Sequence, residues 1–214
     1  MKKLMLTLSC MAIGYVAFSQ QLFFEVYSGY HLTDYDYQPY EESMGYFPIG
    51  FKLAGGHEHV QLGVDYRQHL NNPAFEILNG SSKIDFDETY YGAFIRGNIS
   101  SLPAYRFGLI LSAGMGYYIP TANTYLAESS EPISSFEYEK NLGYNFYIGV
   151  SAPIFAQLHW EIGYQYNMVN RENGPAGIPN YAGNYHCIHV GLSGNFVFGN
   201  TQKRCRRVIT TRRR

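Results

Sequence analysis

Past its first twenty residues the chain has no apolar run approaching the roughly 20 residues a membrane-spanning helix needs, which sets aside a helical integral membrane protein. Charge is scarce. Asp, Glu, Lys and Arg make up 15% of the 214 residues, against about 25% in an ordinary soluble domain. Cysteine is nearly missing. Of three, Cys10 falls in the leader, and Cys187 and Cys205 stand 18 residues apart near opposite ends of one expected strand. At about 3.3 Å per residue that separation lies far beyond disulfide reach. Also missing are any Ser-His-acid spacing that announces a nucleophile and any third ligand to join His57 and His59, which stand two apart in "GGHEH". No catalytic residue, cofactor or metal site is therefore assigned.

What the chain has is 21 Tyr, 14 Phe and 22 Gly. Its opening, "MKKLMLTLSCMAIGYVAFSQ", places Lys2 and Lys3 before an apolar core and small residues at Ala17 and Ser19. This pattern predicts a secretory signal peptide over 1–19. Charge is segregated. Two of the sixteen basic residues lie in the leader and seven in the final stretch "NTQKRCRRVITTRRR", leaving seven against all seventeen acids in between. The tail, 199–214, is expected to be a basic, disordered periplasmic segment able to meet anionic lipid or an acidic partner. A secreted chain argues against nucleic acid.

Between the ends, eight segments alternate apolar and polar residues with period two: 21–32, 44–54, 59–69, 88–100, 105–119, 140–151, 156–169 and 185–198. The last, "YHCIHVGLSGNFVF", sets Ile188, Val190, Leu192, Phe196 and Phe198 on one face and His189, Gly191, Ser193 and Asn195 on the other. Connections alternate long and short, the long ones being "TDYDYQPYEESM", "NNPAFEILNGSSKIDF", "IPTANTYLAESSEPISSFEYE" and "RENGPAGIPNYAGN". Tyr46, Tyr66, Tyr91, Tyr117, Tyr144 and Tyr166 fall near the long connections. Phe23, Phe51, Tyr105, Phe107, Phe155, Trp160, Phe196 and Phe198 fall near the short ones. Two aromatic belts, brief turns on one side and longer loops on the other fit an all-β, eight-stranded, antiparallel up-and-down transmembrane barrel over 20–198. Its average hydropathy is ordinary because half of each strand faces lipid and half faces inward. Closure satisfies every backbone group without an exposed edge.

On these features the chain resembles the small outer-membrane barrels of the OmpA/OmpX type and the outer-membrane β-barrel domains of Bacteroidota. The resemblance implies an outer-membrane location in a diderm, Gram-negative bacterium. It implies both termini in the periplasm, and lipid, lipopolysaccharide and the barrel-assembly machinery as partners. It also reads Phe196-x-Phe198 as the insertion signal. That signal usually ends such chains, whereas sixteen residues follow it here.

Inward residues fill an eight-stranded barrel, and charges sealed there must pair. A hairpin folded about 38–39 sets Glu25 beside Lys52, and Arg96 and Glu161 fall at a similar depth, which predicts a buried network of these four. Inward glycines such as Gly63, Gly92, Gly108, Gly149 and Gly163 leave a water-filled thread open as an alternative. "RQHLNNP" puts His69 atop the third strand and faintly resembles the motif of lipid A deacylases, but Asn71 stands where a nucleophile must. Thirteen of the seventeen acids, Glu88 among them, fall in the expected outer loops beside Tyr35, Tyr37 and Tyr40. The leading expectation is a non-enzymatic barrel with a structural or surface-interaction role through acidic, Tyr-rich outer loops and an unknown surface or periplasmic partner. The alternatives are a narrow solute or ion pore (a porin-like role) and a lipid A-modifying enzyme.

Overall fold

The computed structural model describes residues 21–37, 40–57, 59–71, 75–76, 82–100, 107–126, 128–129, 131–155, 157–170, 173–174 and 183–197. The expected leader, Phe198 and the basic tail lie outside the described residues. The strands are β1 (Gln21–Tyr37), β2 (Tyr40–Gly56), β3 (Val60–Asn71), β4 (Phe75–Glu76), β5 (Ser82–Ser100), β6 (Gly108–Leu126), β7 (Pro132–Glu137), β8 (Asn141–Pro153), β9 (Leu158–Met168) and β10 (Tyr185–Val197). Eight of them form one ring in the order β1, β2, β3, β5, β6, β8, β9, β10. The ring closes where β1 meets β10, with Gln21 opposite Val197 and Glu25 opposite Ser193. Every pairing is antiparallel.

The alternation in sequence is an alternation in space. Along β8 burial switches residue by residue from Asn141 to Val150. Phe146 is 52% exposed and Tyr147 beside it 5%. Ile49, Phe51 and Leu53 face outward from β2, Val60, Leu62 and Val64 from β3, and Ile188, Val190 and Leu192 from β10. So broad an apolar outer surface on a closed sheet is what a hydrocarbon surround stabilises and water does not. Tyr66, Tyr91 and Tyr144 ring its upper margin, toward the long connections. Phe107, Phe155, Trp160 and Phe196 ring its lower one, where Phe24 stacks on Phe196 with centroids 5.6 Å apart. Phe23, expected at that lower end but on the polar row of its strand together with Tyr27, points inward and is fully buried.

The long connections differ most from expectation. β1 and β2 run on past the apolar band until Tyr37 pairs with Tyr40, so most of "TDYDYQPYEESM" is ladder and not loop. β5 and β6 pair from Ser100–Gly108 out to Ser82–Leu126. Short strands flank this outer ribbon, β4 alongside Ile84 and β7 alongside Thr121–Tyr125. The apolar alternation stops at the edge of the lipid band, but backbone pairing does not need it. Thr, Tyr and Ile carry the ladder onward on propensity and cross-strand contacts.

Candidate functional site: the lumen and the outer ribbon

The lumen is filled in layers. At the short-turn end Phe23, Ala54 and Phe94 form a small apolar floor. Above it lies the charged layer. Lys52 Nζ stands 3.1 Å from Glu25 Oε2. Arg96 donates to both oxygens of Glu161, at 2.8 and 2.6 Å, and its Nη1 is 3.9 Å from Glu25 Oε2. The four residues thus form one connected group, drawn from β1, β2, β5 and β9. Two-point Arg–carboxylate contact is the strongest ion-pair geometry available to side chains. The Arg96 guanidinium also lies 4.2 Å from the centre of the Phe23 ring, which joins the charged layer to the floor.

Two residues complete this layer. His189 Nε2 is 2.7 Å from Glu25 Oε1, and Ser193 donates to Glu161. Tyr27 donates to Asp65 at 2.7 Å, with Lys52 Nζ 4.4 Å above its ring. Higher up, Arg67 bonds Tyr185 and stands 3.3 Å from Glu88, while Tyr185 donates to Glu88. His69 Nε2 is 3.7 Å from Glu88, and His31 meets His69 edge-on with centroids 5.1 Å apart. In the buried set four carboxylates (Glu25, Asp65, Glu88, Glu161) face three cations (Lys52, Arg67, Arg96), with His189 against Glu25. Near-balance of this kind is the condition for burying charge at all.

Glu88 is a correction. It was expected in an outer acidic loop, but it is 2% exposed inside the barrel. In "DFDET", Phe86 shares its parity and is buried too. Glu88 is also the first residue of the expected strand 88–100, and its parity there with Tyr90 and Arg96 is what points it inward. Over the polar layers sits a larger apolar cap of Ile84, Phe86, Tyr90, Tyr118, Ala122, Tyr138, Val169 and Tyr185.

The inward glycines have a second use that spacing alone does not show. A Cβ on Gly50 would lie 2.0 Å from the Tyr27 ring, and one on Gly163 would lie 2.7 Å from the Tyr147 ring. On Gly116 it would come within 2.8 Å of Tyr90, and on Gly143 within 2.6 Å of Tyr118. Tyrosine rings lie across glycines of neighbouring strands. At these positions the space a side chain would take is filled by aromatic carbon. The abundance of Gly and of Tyr is one packing device.

The remaining sequence candidates sit as follows. His57 and His59 lie exposed at the short turn with ring centroids 5.9 Å apart. His69 is buried in the lumen. His186 and His189 point to opposite faces: His189 is fully buried, and His186 lies outside against Tyr164 and Tyr166. Cys187 is a free, buried thiol. Phe196 is outward at the lower belt. Above the barrel, Asp85 and Asp87 stand two apart on one face of the outer ribbon, and Asn123 donates to Asp87 at 2.9 Å. Partial burial, then the charge of Asp87, pushes the Asp85 carboxyl up to about 6.

No protein-family model matches the sequence, and no curated protein does. Solved structures match in fold. Neisserial surface protein A aligns with 82% of this chain and 97% of its own, at 14% identity and a TM-score of 0.61. A major outer membrane protein of Thermus thermophilus aligns over 82% and 99%, at 10% identity and 0.54. Ail, the attachment invasion locus protein of Yersinia pestis, solved with the heparin analogue sucrose octasulfate, aligns over 82% and 98%, at 11% and 0.51. Closure through β1 and β10, the outward apolar band with its two aromatic rims, and this likeness together give the chain the fold of the small, eight-stranded, OmpA/OmpX-like outer-membrane β-barrels.

Proposed function

We propose that the protein is a non-enzymatic barrel of the outer membrane of a Gram-negative bacterium, with both termini periplasmic and the outer ribbons as its working surface. The observation that carries this reading is the lumen. Apolar layers stand at both ends of it, and the charges between them are committed to one another. A barrel filled in this way supports its rim and does not pass solute. The pairing of β1–β2 and β5–β6 well beyond the apolar band builds a raised, stiff platform on the side of the long connections. Stiff ribbons cost less to order on binding than loops do.

The platform's charge sets the partner's chemistry. Excluding Glu88, the upper segments hold twelve acids against Lys83, Lys140 and Arg171. Ail was solved with a polyanionic sugar. This surface would repel such a ligand, so it favours a basic protein surface or an anionic glycan bridged by divalent cations. Planar-bilayer recording of the purified barrel is the test. No steady current is expected, and a stable, ion-selective conductance overturns the closed-lumen reading. Mass analysis of lipid A from cells with and without the protein tests the enzyme alternative, with unchanged acyl composition expected.

A further inference from the structure

The outward face is not uniform. A groove of about 520 Å³ crosses it over β5, β6 and β8, open to the surround along its length. Its floor is set by two small outward residues, Gly97 and Ala113, which interrupt rows of Ile, Leu and Phe. The space at Gly97 is real. A Cβ there would meet nothing nearer than the Leu111 carbonyl oxygen at 3.7 Å, unlike the crowded inward glycines. Ile95, Leu111, Phe146 and Ile148 form the walls.

The groove has a direction. Val60, at one end, is the first residue of β3 after a short turn. From it the ladder partners run Val60–Gly97, Gly97–Leu111, Leu111–Ile148 and Ile148–Tyr164. Tyr166, beside His186 on β10, lies toward the opposite end of β9 and a long connection, with Tyr164 one outward position below it, level with Ile148. Four inter-strand steps of about 4.8 Å make a path of about 19 Å. It climbs obliquely from one margin of the apolar band toward the other. At its upper end the wall becomes polar. The Tyr164 hydroxyl bonds His186 Nδ1, and the Tyr166 ring lies 5.0 Å from the His186 ring. These three face outward, so none of them belongs to the lumen network.

We propose that this groove seats one acyl chain of a glycolipid of the lipid A type, with the sugar headgroup against His186 and Tyr166 and the chain passing Tyr164 below them. Acyl chains are what surrounds this face, and the groove is long enough for one chain and too narrow for a second β-barrel to enter. Its volume lies within the roughly 300–1,000 Å³ of ordinary ligand sites. Lipid carries no hydrophobic drive toward an apolar wall within the bilayer, so selection comes from close contact along the chain and from the hydrogen bonds at its head. The flat, amphipathic rings at the head end suit a sugar face. The assignment to the outer leaflet rests on the orientation given under Proposed function.

The test is native mass spectrometry of the purified barrel after detergent exchange, with purified lipid A and, separately, phosphatidylethanolamine as probes. Wild-type protein is expected to hold one lipid A per chain. Ala113→Leu, which fills the floor from the lipid side and touches no lumen contact, is expected to lower that occupancy about tenfold, a change of about 1.4 kcal/mol. Ala93→Leu, an outward residue outside the groove, is the matched control and is expected to retain lipid. His186→Ala is expected to weaken lipid A and leave phosphatidylethanolamine unchanged. Equal occupancy in Ala113→Leu and wild type overturns the groove, and preference for phosphatidylethanolamine overturns the glycolipid. An epitope inserted between residues 38 and 39 and probed on intact cells reports the orientation separately. Failure there is distinguishable from failure of the groove.

Discussion

Removing the Arg96 charge is the most searching perturbation of the lumen. Arg96 is 4% exposed. It holds both oxygens of Glu161, stands 3.9 Å from Glu25, bonds Asn98 through Nε at 3.0 Å and covers the Phe23 ring. Arg96→Met keeps most of the side-chain length and its contact with Phe23. It leaves Glu161 with Ser193 as its remaining hydrogen-bond donor and weakens the charge balance around Glu25. Breaking one side of a buried pair costs roughly 3–5 kcal/mol, mostly from the carboxylate left uncompensated. The double variant Arg96→Met/Glu161→Met removes the orphan. Replacing a whole buried pair by apolar groups of similar volume is neutral or stabilising by about 1–4 kcal/mol. The double variant should therefore stand nearer to wild type than the single one. The assay is equilibrium urea unfolding in lipid vesicles, followed by the mobility difference of folded and unfolded barrel on gels. A loss under about 1 kcal/mol in Arg96→Met refutes the burial argument, as does an additive double variant.

Further predictions follow from the two faces and from the ribbon. Ile148→Arg, on the outward face near mid-band, is expected to cost about 2–4 kcal/mol in the same assay, and an unchanged midpoint would show that this face does not meet lipid. Gly63→Leu and Gly97→Leu are the same substitution on opposite faces. The first puts a Cβ 2.2 Å from the Leu53 carbonyl oxygen and 2.5 Å from Ala54 Cβ, at an overpacking cost of about 1–3 kcal/mol or more, while the second makes only ordinary contact, at 3.7 Å, and should leave stability unchanged. The Asp85 carboxyl should titrate with a midpoint near 6 by carbon NMR. Because its folded value is raised, the folded ribbon favours the protonated form. Stability there is highest below about pH 4, falls as pH rises through 6 and levels above it, and Asp85→Asn should abolish that slope. A midpoint near 4, or a slope that survives in Asp85→Asn, refutes the reading. Cys187, 2% exposed, should resist maleimide in the folded barrel and react after unfolding.

Much of this architecture is legible in the order of residues. Alternation identifies which of Phe146 and Tyr147, or Ile188 and His189, faces out, because in a closed sheet in lipid a side chain has only two places to go and they differ sharply in polarity. The same parity places Glu25 next to Lys52 through one hairpin. Glu88 and Phe23 show where residue type pulls against parity. Parity has to be counted from a strand boundary. Glu88 opens the expected strand 88–100, where the outward apolar row gives out, so its charge reads as that of a loop acid although its parity with Tyr90 already points inward. Phe23 carries an aromatic signature suited to a membrane margin, but its parity with Glu25 sets it on the inward row, and the register of β1 against β2 and β10 agrees with the parity.

The sequence alone determined the strand count, the outward rows and the antiparallel order, since these follow from period-two chemistry and from the demand that every backbone group in lipid be paired. The tertiary structure decided what meets across the lumen. Arg96 reaches Glu161 from 65 positions away and His189 reaches Glu25 from 164, at depths set by the stagger of the strands around the ring. It also decided that tyrosines lie over glycines, so that the same small residues pack the interior at Gly50 and leave a furrow in the exterior at Gly97. Composition records that both residue types are abundant. Which ring lies on which glycine is a matter of register and shear, and those are fixed only when the sheet closes.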